Sequence, residues 1–351
     1  MGINNILVTG AAGFIGFHTI LRLAKEGYNV TGIDNLNTYY DVMLKRARLI
    51  EAGISLAGQA NKVVSSRFDR LTFSRVDITD ERALNKLFEE GEFDAVIHLA
   101  AQAGVRYSIE DTKEFIESNN SSFLNILEAC RHHPVQHLIY ASSGSVYGVN
   151  TRMPFSELHK SEHPVSLYAA AKRWNEMIAR TYASLFDIPT TGLRFFTVYG
   201  PWGRPDMSYY SFIKSMLAGK PIEVVHERDM ERFFTYIDDI VESIVRLIPD
   251  VPEVDEPLPS DHPDPVNRSA HYRVLDIGND EPVKLQDFIH ALEHHTGVQA
   301  RMEVRPMQPE HIAGKRPDVL ELERLINYKP KTPLDTGIGK FVKWYKTYYG
   351  E

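Results

Sequence analysis

Three glycines, Gly10, Gly13 and Gly16, sit between a short apolar run and an amphipathic one, and no other feature restricts the folding of this chain as much. Residues 3–9 read as a strand, the stretch from the glycines to about Lys25 as a helix, and Tyr28–Ile33 as a second strand ending at Asp34. Strand, tight turn, helix and strand make a βαβ unit. Glycines at this spacing permit the turn, a close approach of backbone to a pyrophosphate, and tight packing of helix on strand. The helix start then offers free N–H groups and a partial positive charge to phosphate. A glycine triplet alone is a weak signal, and its place between strand and helix gives it meaning.

The alternation continues. Leu71–Val76 and Asp94–His98 read as strands flanking a helix from Asp80 to about Glu90. Thr112–His132 reads as one long helix, Gln136–Ala141 as a strand, Leu167–Phe186 as a second long helix and Thr190–Arg194 as a further strand. The polar segment Glu51–Arg67 reads as a loop insertion. Such alternation implies an α/β fold of Rossmann type, a doubly wound parallel sheet with right-handed crossovers. After Gly200 the alternation breaks up. Residues 250–267 read as a Pro-rich acidic loop, followed by a strand at Tyr272–Ile277 and helices near Lys284–His295, Val319–Leu325 and Thr336–Tyr348. The expected division is a dinucleotide-binding unit over residues 1–195 and a smaller C-terminal α/β substrate lobe over 196–351, with some elements free to return to the first unit.

The net charge of −8, with no basic stripe, argues against nucleic acid as a partner. No stretch is apolar enough to cross a membrane, and the N-terminus runs directly into a strand without a signal-peptide pattern. Cys130 is the lone cysteine, which excludes an intrachain disulfide and fits a reducing cytoplasm. No metal is called for.

Phe14 and Ile15 lie within the glycine turn. Asp34, with Asn35 after it, ends the second strand, where a carboxylate can bond the adenosine ribose hydroxyls; it can equally cap a turn. A carboxylate there repels a 2′-phosphate, so the cofactor expected is NAD rather than NADP. Asp77 and Ile78, then Leu99, Ala100 and Ala101, fall at successive strand ends, where a doubly wound sheet binds its ligand. Tyr168 and Lys172 are four residues apart near the start of a helix and share a face. A free phenol has a pKa of about 10, and a nearby lysine favours its ionised form. Ser143 and Ser145 leave a strand in a burst of hydroxyls that can serve a reacting tyrosine, or can simply form a turn.

These motifs stand within longer segments: VTGAAGFIGFH, DNLNTYYDV, VIHLAAQAGVRYS, YASSGSVYG, HPVSLYAAAK, GLRFFTVYGPWGRPDM, FTYIDDIVE and YKPKTP. Nearly end to end, the chain resembles the extended short-chain dehydrogenase/reductases, and within them the UDP-glucuronate 4-epimerases. The resemblance implies retained NAD, Ser/Tyr/Lys chemistry and a UDP-hexuronic acid substrate inverted at C4. It gives Tyr168 the proton transfer, Ser143 the hydroxyl partnership with Ser145 second, and Lys172 a hold on the nicotinamide ribose. It places Thr197 and Arg204 on the substrate carboxylate, Arg232 at the UDP phosphates and Arg106 at a substrate gate or phosphate. Asn119 would join the catalytic network from the helix facing the site. A homodimer through the two long helices is implied as well. Four positions depart from the family pattern: Gly144 for a serine, Phe233 for an aspartate, Ser122 for a glycine, and His311, within an altered segment 308–318, for an aspartate at the UDP ribose. Decarboxylation to a UDP-pentose, epimerisation of a neutral UDP-sugar and a non-catalytic NAD sensor are the competing readings.

Overall fold

A computed structural model describes residues 2–56, 62–103, 107–148, 164–225, 231–253, 270–305 and 316–350. Its main sheet is built from β1 (Asn5–Thr9), β2 (Asn29–Asp34), β3 (Lys62–Val64), β4 (Leu71–Arg75), β5 (Ala95–His98), β6 (His137–Ser143), β7 (Thr190–Phe195) and a later strand, β12 (Tyr272–Ile277). The strand order is β12-β7-β6-β5-β1-β2-β4-β3, parallel except for the β3–β4 pair. Helices α1 (Phe14–Lys25), α3 (Glu81–Gly91) and α7 (Leu167–Phe186) belong to the crossovers. The central strands are apolar on both faces: Ile6, Leu7, Val8, Val96 and Ile97 are buried, as a sheet covered on both sides requires. This is the expected Rossmann-type fold.

The structure departs from the sequence reading in three places. Residues 42–51 form a helix, α2 (Val42–Glu51), whose start is capped by Asp41 accepting from the Met43 N–H at 2.8 Å. The segment expected to be a loop contains β3, an antiparallel edge on β4. The expected long helix 112–132 is interrupted. Helix α5 (Thr112–Ile116), preceded by the short α4 (Tyr107–Glu110), passes through a π turn over Glu117–Ser121 into α6 (Ser122–His132). Periodicity read over twenty residues does not register one inserted residue. Of the elements the division left free to return, β12 hydrogen-bonds to β7 from Tyr272↔Thr190 to Ile277↔Phe195 and so completes the large sheet. Burial explains this: Val274, Leu275 and Ile277 are covered, and the Tyr272 and Tyr140 hydroxyls meet at 2.9 Å beneath it.

Beyond β12, the later chain forms, among the described residues, three two-stranded sheets and five helices. It comprises β8 (Thr197–Tyr199) paired with β11 (Phe234–Tyr236), β9 (Ile222–Val225) with β14 (Met302–Arg305), and β10 (Glu231–Arg232) with β13 (Val283–Lys284). Five helices accompany them: α8 (Ser208–Leu217), α9 (Ile237–Leu247), α10 (Leu285–Thr296), α11 (Leu320–Ile326) and α12 (Leu334–Tyr349). One continuous core joins this part to the sheet, running from Ile6 and Phe17 to Phe288 and Phe341. Buried Arg48 is a polar tie, donating to Ala12 O at 2.8 Å and Trp202 O at 2.7 Å. Among the described residues no helix is long and apolar enough to cross a membrane.

Candidate active site

A cavity of about 460 Å³ opens at the carboxyl ends of β1, β2, β5 and β6, within the size range of small-molecule sites. Its floor is the glycine turn. Gly10 has φ +70°, and a Cβ there would sit 2.8 Å from Ala100 N; one on Gly16 would sit 2.1 Å from Gly10 O. Only glycine fits these positions, so the turn is a cradle of bare backbone. Asp34 lines the cavity and also holds its own turn, accepting from Leu36 N at 2.8 Å and Ala12 N at 3.2 Å. The two roles considered for it are compatible. Asn35 donates to Asp77 Oδ2 at 2.9 Å. Burial pushes the Asp77 carboxyl up, but Asn35 and Thr79 bonding outweighs it and leaves the group below its ordinary value. Thr9 Oγ1 accepts from Leu99 N and Ala100 N, each at 3.1 Å, and so shapes the end of β5. A glycine floor, a carboxylate at the end of β2 and small residues at the end of β5 suit an extended dinucleotide.

On the opposite wall, Ser166 caps α7 by accepting from Ala169 N, which sets Tyr168 and Lys172 on the first turns facing the cavity. Lys172 Nζ donates to Ala141 O at 2.8 Å. Burial lowers its pKa to about 8, against the pull of Glu176. Burial holds the Tyr168 phenol above its ordinary value, and the influences opposing it are the Arg204 charge and the Ser143 hydroxyl. Lys172 is engaged at the end of β6, and Arg204 enters the cavity from the later part of the chain. Strand alternation separates the β6 serines. Ser142 donates its hydroxyl to Glu176 Oε1 at 2.6 Å at the edge of the cavity, while Ser143 lines the cavity and accepts from Ser145 N at 3.1 Å.

The cavity is lined by Gly10, Gly13, Phe14, Ile15, Gly16, Asp34, Asn35, Asp77, Ile78, Leu99, Ala100, Ala101, Ser143, Ser145, Tyr168, Lys172 and Arg204. Asn119, Thr197 and Arg232 lie outside this lining, and Arg106 and His311 lie outside the described residues. Asn119 is carried round by the π turn and donates to Phe115 O at 2.9 Å, leaving Ser118 to face the cavity. Its own Oδ1 is buried without a partner among the described residues. Thr197 alternates with Phe196 and Val198, which face in. Arg232 sits on β10 opposite Val283. Gly144 has a tertiary explanation: a Cβ there would meet the Phe196 ring at 2.8 Å, so aromatic packing takes the space of a serine side chain. Phe233 and Ser122 are both buried.

Sequence reasoning missed Tyr39, Lys45 and Met207, which also line the cavity. Tyr39 lay within the DNLNTYYDV segment, and Met207 within GLRFFTVYGPWGRPDM. Away from this cavity, His294, His295 and Asp335 bring ligand-type atoms within 4.8 Å of one another.

The family model for the NAD dependent epimerase/dehydratase family matches residues 6–258. The chain belongs to this family. It is 45% identical to Protein CapI of Staphylococcus aureus, over 98% of this chain and 99% of that one. It is 41% identical to UDP-glucuronate 4-epimerase 1 of Arabidopsis thaliana, over 99% of this chain and 77% of the plant protein. Among solved structures, the UDP-glucuronic acid 4-epimerase from Bacillus cereus, in complex with UDP-glucuronic acid and NAD, superposes with a TM-score of 0.82 at 31% identity, covering 98% and 99% of the two chains. NAD is the cofactor of this family, and the glycine floor, Asp34 and the Ala100–Ala101 wall fit it.

Proposed function

We propose that this epimerase-family protein interconverts UDP-glucuronate and UDP-galacturonate by inversion at C4. One observation carries the reading: Tyr168, Ser143, Lys172 and Arg204 face a single cavity whose floor is the glycine cradle. Gly10, Gly13, Gly16, Asp34 and Lys172 hold the cofactor, with Asp77 and Ile78 at its adenine end. NAD held there would supply reversible hydride transfer at C4, chemistry the side chains lack. Tyr168 Oη takes the C4 hydroxyl proton and later returns it to the same oxygen once C4 is inverted. Ser143 bonds the same hydroxyl and, with Arg204, steadies the phenolate. The 4-keto sugar between the two proton transfers is a β-keto acid, open to loss of CO₂. Arg204 restrains its carboxylate by charge-assisted bonding, with Thr197 proposed beside it. Residues 196–351, apart from β12, serve as the nucleotide-sugar lobe, with Arg232 at the diphosphate.

The test is incubation of purified protein with UDP-glucuronate and no added NAD, products being identified by proton NMR. UDP-galacturonate is the expected product. A UDP-pentose would mean decarboxylation and would remove the carboxylate restraint from the mechanism. Asp34→Ala should weaken NAD retention about 10-fold, the scale of a charge-assisted bond, as read by fluorescence titration. Unchanged retention would leave Asp34 with its turn alone.

A homodimer fits the outward face of α7, where Trp174, Met177 and Leu185 are 38%, 59% and 68% exposed, with Ile116 of α5 also exposed. Sedimentation of Met177→Glu/Leu185→Glu should show a monomer where the unaltered protein shows a dimer. A dimer in both would place the interface elsewhere. The cytoplasm is the proposed compartment, in keeping with a lone buried thiol, Cys130, whose pKa burial pushes up.

A further inference from the structure

In the turn after β8, Arg204 and Asp206 form a forked pair, with Arg204 Nε donating to Asp206 Oδ1 at 3.0 Å and Nη2 to Oδ2 at 2.6 Å. The side chains are only 23% and 29% exposed. A second wall joins them, since the Tyr39 hydroxyl, from the loop after β2, donates to Asp206 Oδ2 at 3.3 Å. Burial raises the Asp206 carboxyl pKa, but Arg204 outweighs burial and keeps the group ionised below its ordinary value. Arg204 lines the cavity and its charge reaches Tyr168, whereas Asp206 stands behind it, outside the lining. The cation that faces the reacting phenol is therefore already engaged by a carboxylate of the chain itself.

A guanidinium edge matches one carboxylate at a time in forked geometry. A second carboxylate must take the fork from the first or accept a poorer angle. A half-buried arginine left unpaired is costly, so a resident partner keeps the cation ordered when no ligand is present. Because the two residues are neighbours on one turn, side-chain rotation is enough to open the pair. We propose that Asp206 is a positioning residue that stands in for the sugar carboxylate on Arg204 and yields part of that fork when an acidic sugar enters. The inference rests on the UDP-uronate reading above. It has a directional consequence. Asp206 weakens the binding of acidic sugars specifically, because a neutral hexose leaves the Arg204–Asp206 pair closed.

Asp206→Asn keeps shape and an acceptor oxygen but removes the competing charge. The KM for UDP-glucuronate should fall about 10-fold, the scale of a hydrogen bond to a charged group, while the calorimetric Kd for UDP-glucose stays the same. Asp206→Glu should restore the original KM. A purely structural role predicts weaker binding of both sugars, and that result, or an unchanged KM for UDP-glucuronate, overturns the inference. Tyr39→Phe, which loosens Asp206 without touching its charge, should lower the UDP-glucuronate KM about twofold. This variant decides the matter should Asp206→Asn not fold, and an unchanged ratio between the two sugars would then count against the idea. Should the unaltered protein fail to convert UDP-glucuronate at all, the proposed function falls and takes this inference with it. Conversion with no shift in sugar preference in the variants sinks this inference alone.

Discussion

Tyr168→Phe should lower the turnover of UDP-glucuronate by about 10³-fold, within the range for loss of a general acid–base group, while the melting temperature stays nearly constant. The phenol is half-buried at the start of α7 and is flanked by Ser143 and Arg204. Removing its oxygen deletes the proton acceptor without opening a cavity. In the free chain burial holds this phenol above its ordinary pKa, and burial holds Lys172 near 8. The resting state therefore keeps its proton, and added positive charge is needed to release it. Proton NMR at matched enzyme concentration measures the loss. Turnover within about tenfold of the unaltered enzyme, less than the general-base contribution, would transfer the proton chemistry to another group, with Ser145 the next hydroxyl in the cavity.

Arg194→Met should destabilise the protein by about 3–5 kcal/mol, the usual result of breaking a buried ion pair from one side. Arg194 on β7 meets Glu176 on α7 through both oxygens, each at 2.8 Å, with side chains 3% and 1% exposed. Ser142 and Arg173 also bond this carboxylate, at 2.6 Å and 3.0 Å. The third arm of Arg194 donates to the Tyr147 hydroxyl at 2.9 Å, and that hydroxyl donates to Asp276 of β12 at 2.8 Å. The network thus ties β12, β7 and the catalytic helix together one turn below Lys172. Burial pushes the Glu176 carboxyl up, but Arg194 outweighs it and the pKa is lowered from 4.5. A lowered carboxylate contributes stability that is full above its unfolded pKa and is lost as pH falls through the folded value. In Arg194→Met burial is less well opposed, so the stability deficit should be largest near neutrality and shrink as pH falls below about 4.5. Thermal unfolding at several pH values reads this. The double variant Arg194→Met/Glu176→Gln should recover much of the loss, since no charge is then stranded. A double variant as weak as the single one would show that shape, rather than charge, is at stake.

Several parts of the site were legible before folding. The glycine turn, Asp34 and the Tyr168–Lys172 pair are local patterns, whose spacing places them on a turn, a strand end and one helix face. Helix α2 carried a readable signal in Asp41, a capping residue, but followed a polar loop too closely to stand out. The π turn was not legible, because one inserted residue barely disturbs the apolar period of a long helix. Within that turn, Ser118 rather than Asn119 lines the cavity.

The sequence by itself determined the class of fold, the cofactor-binding turn and the reacting tyrosine, because each depends on backbone conformation and side-chain spacing within a few residues. Tertiary structure alone decided the rest. It sent β12 back to the large sheet, put the Phe196 ring where Gly144 departs from the family pattern, and brought the Arg204 charge to oppose burial at Tyr168. These outcomes depend on groups far apart in the chain, whose meeting is set by packing, and the electrostatics of a buried phenol depend on which distant cation packing delivers to it.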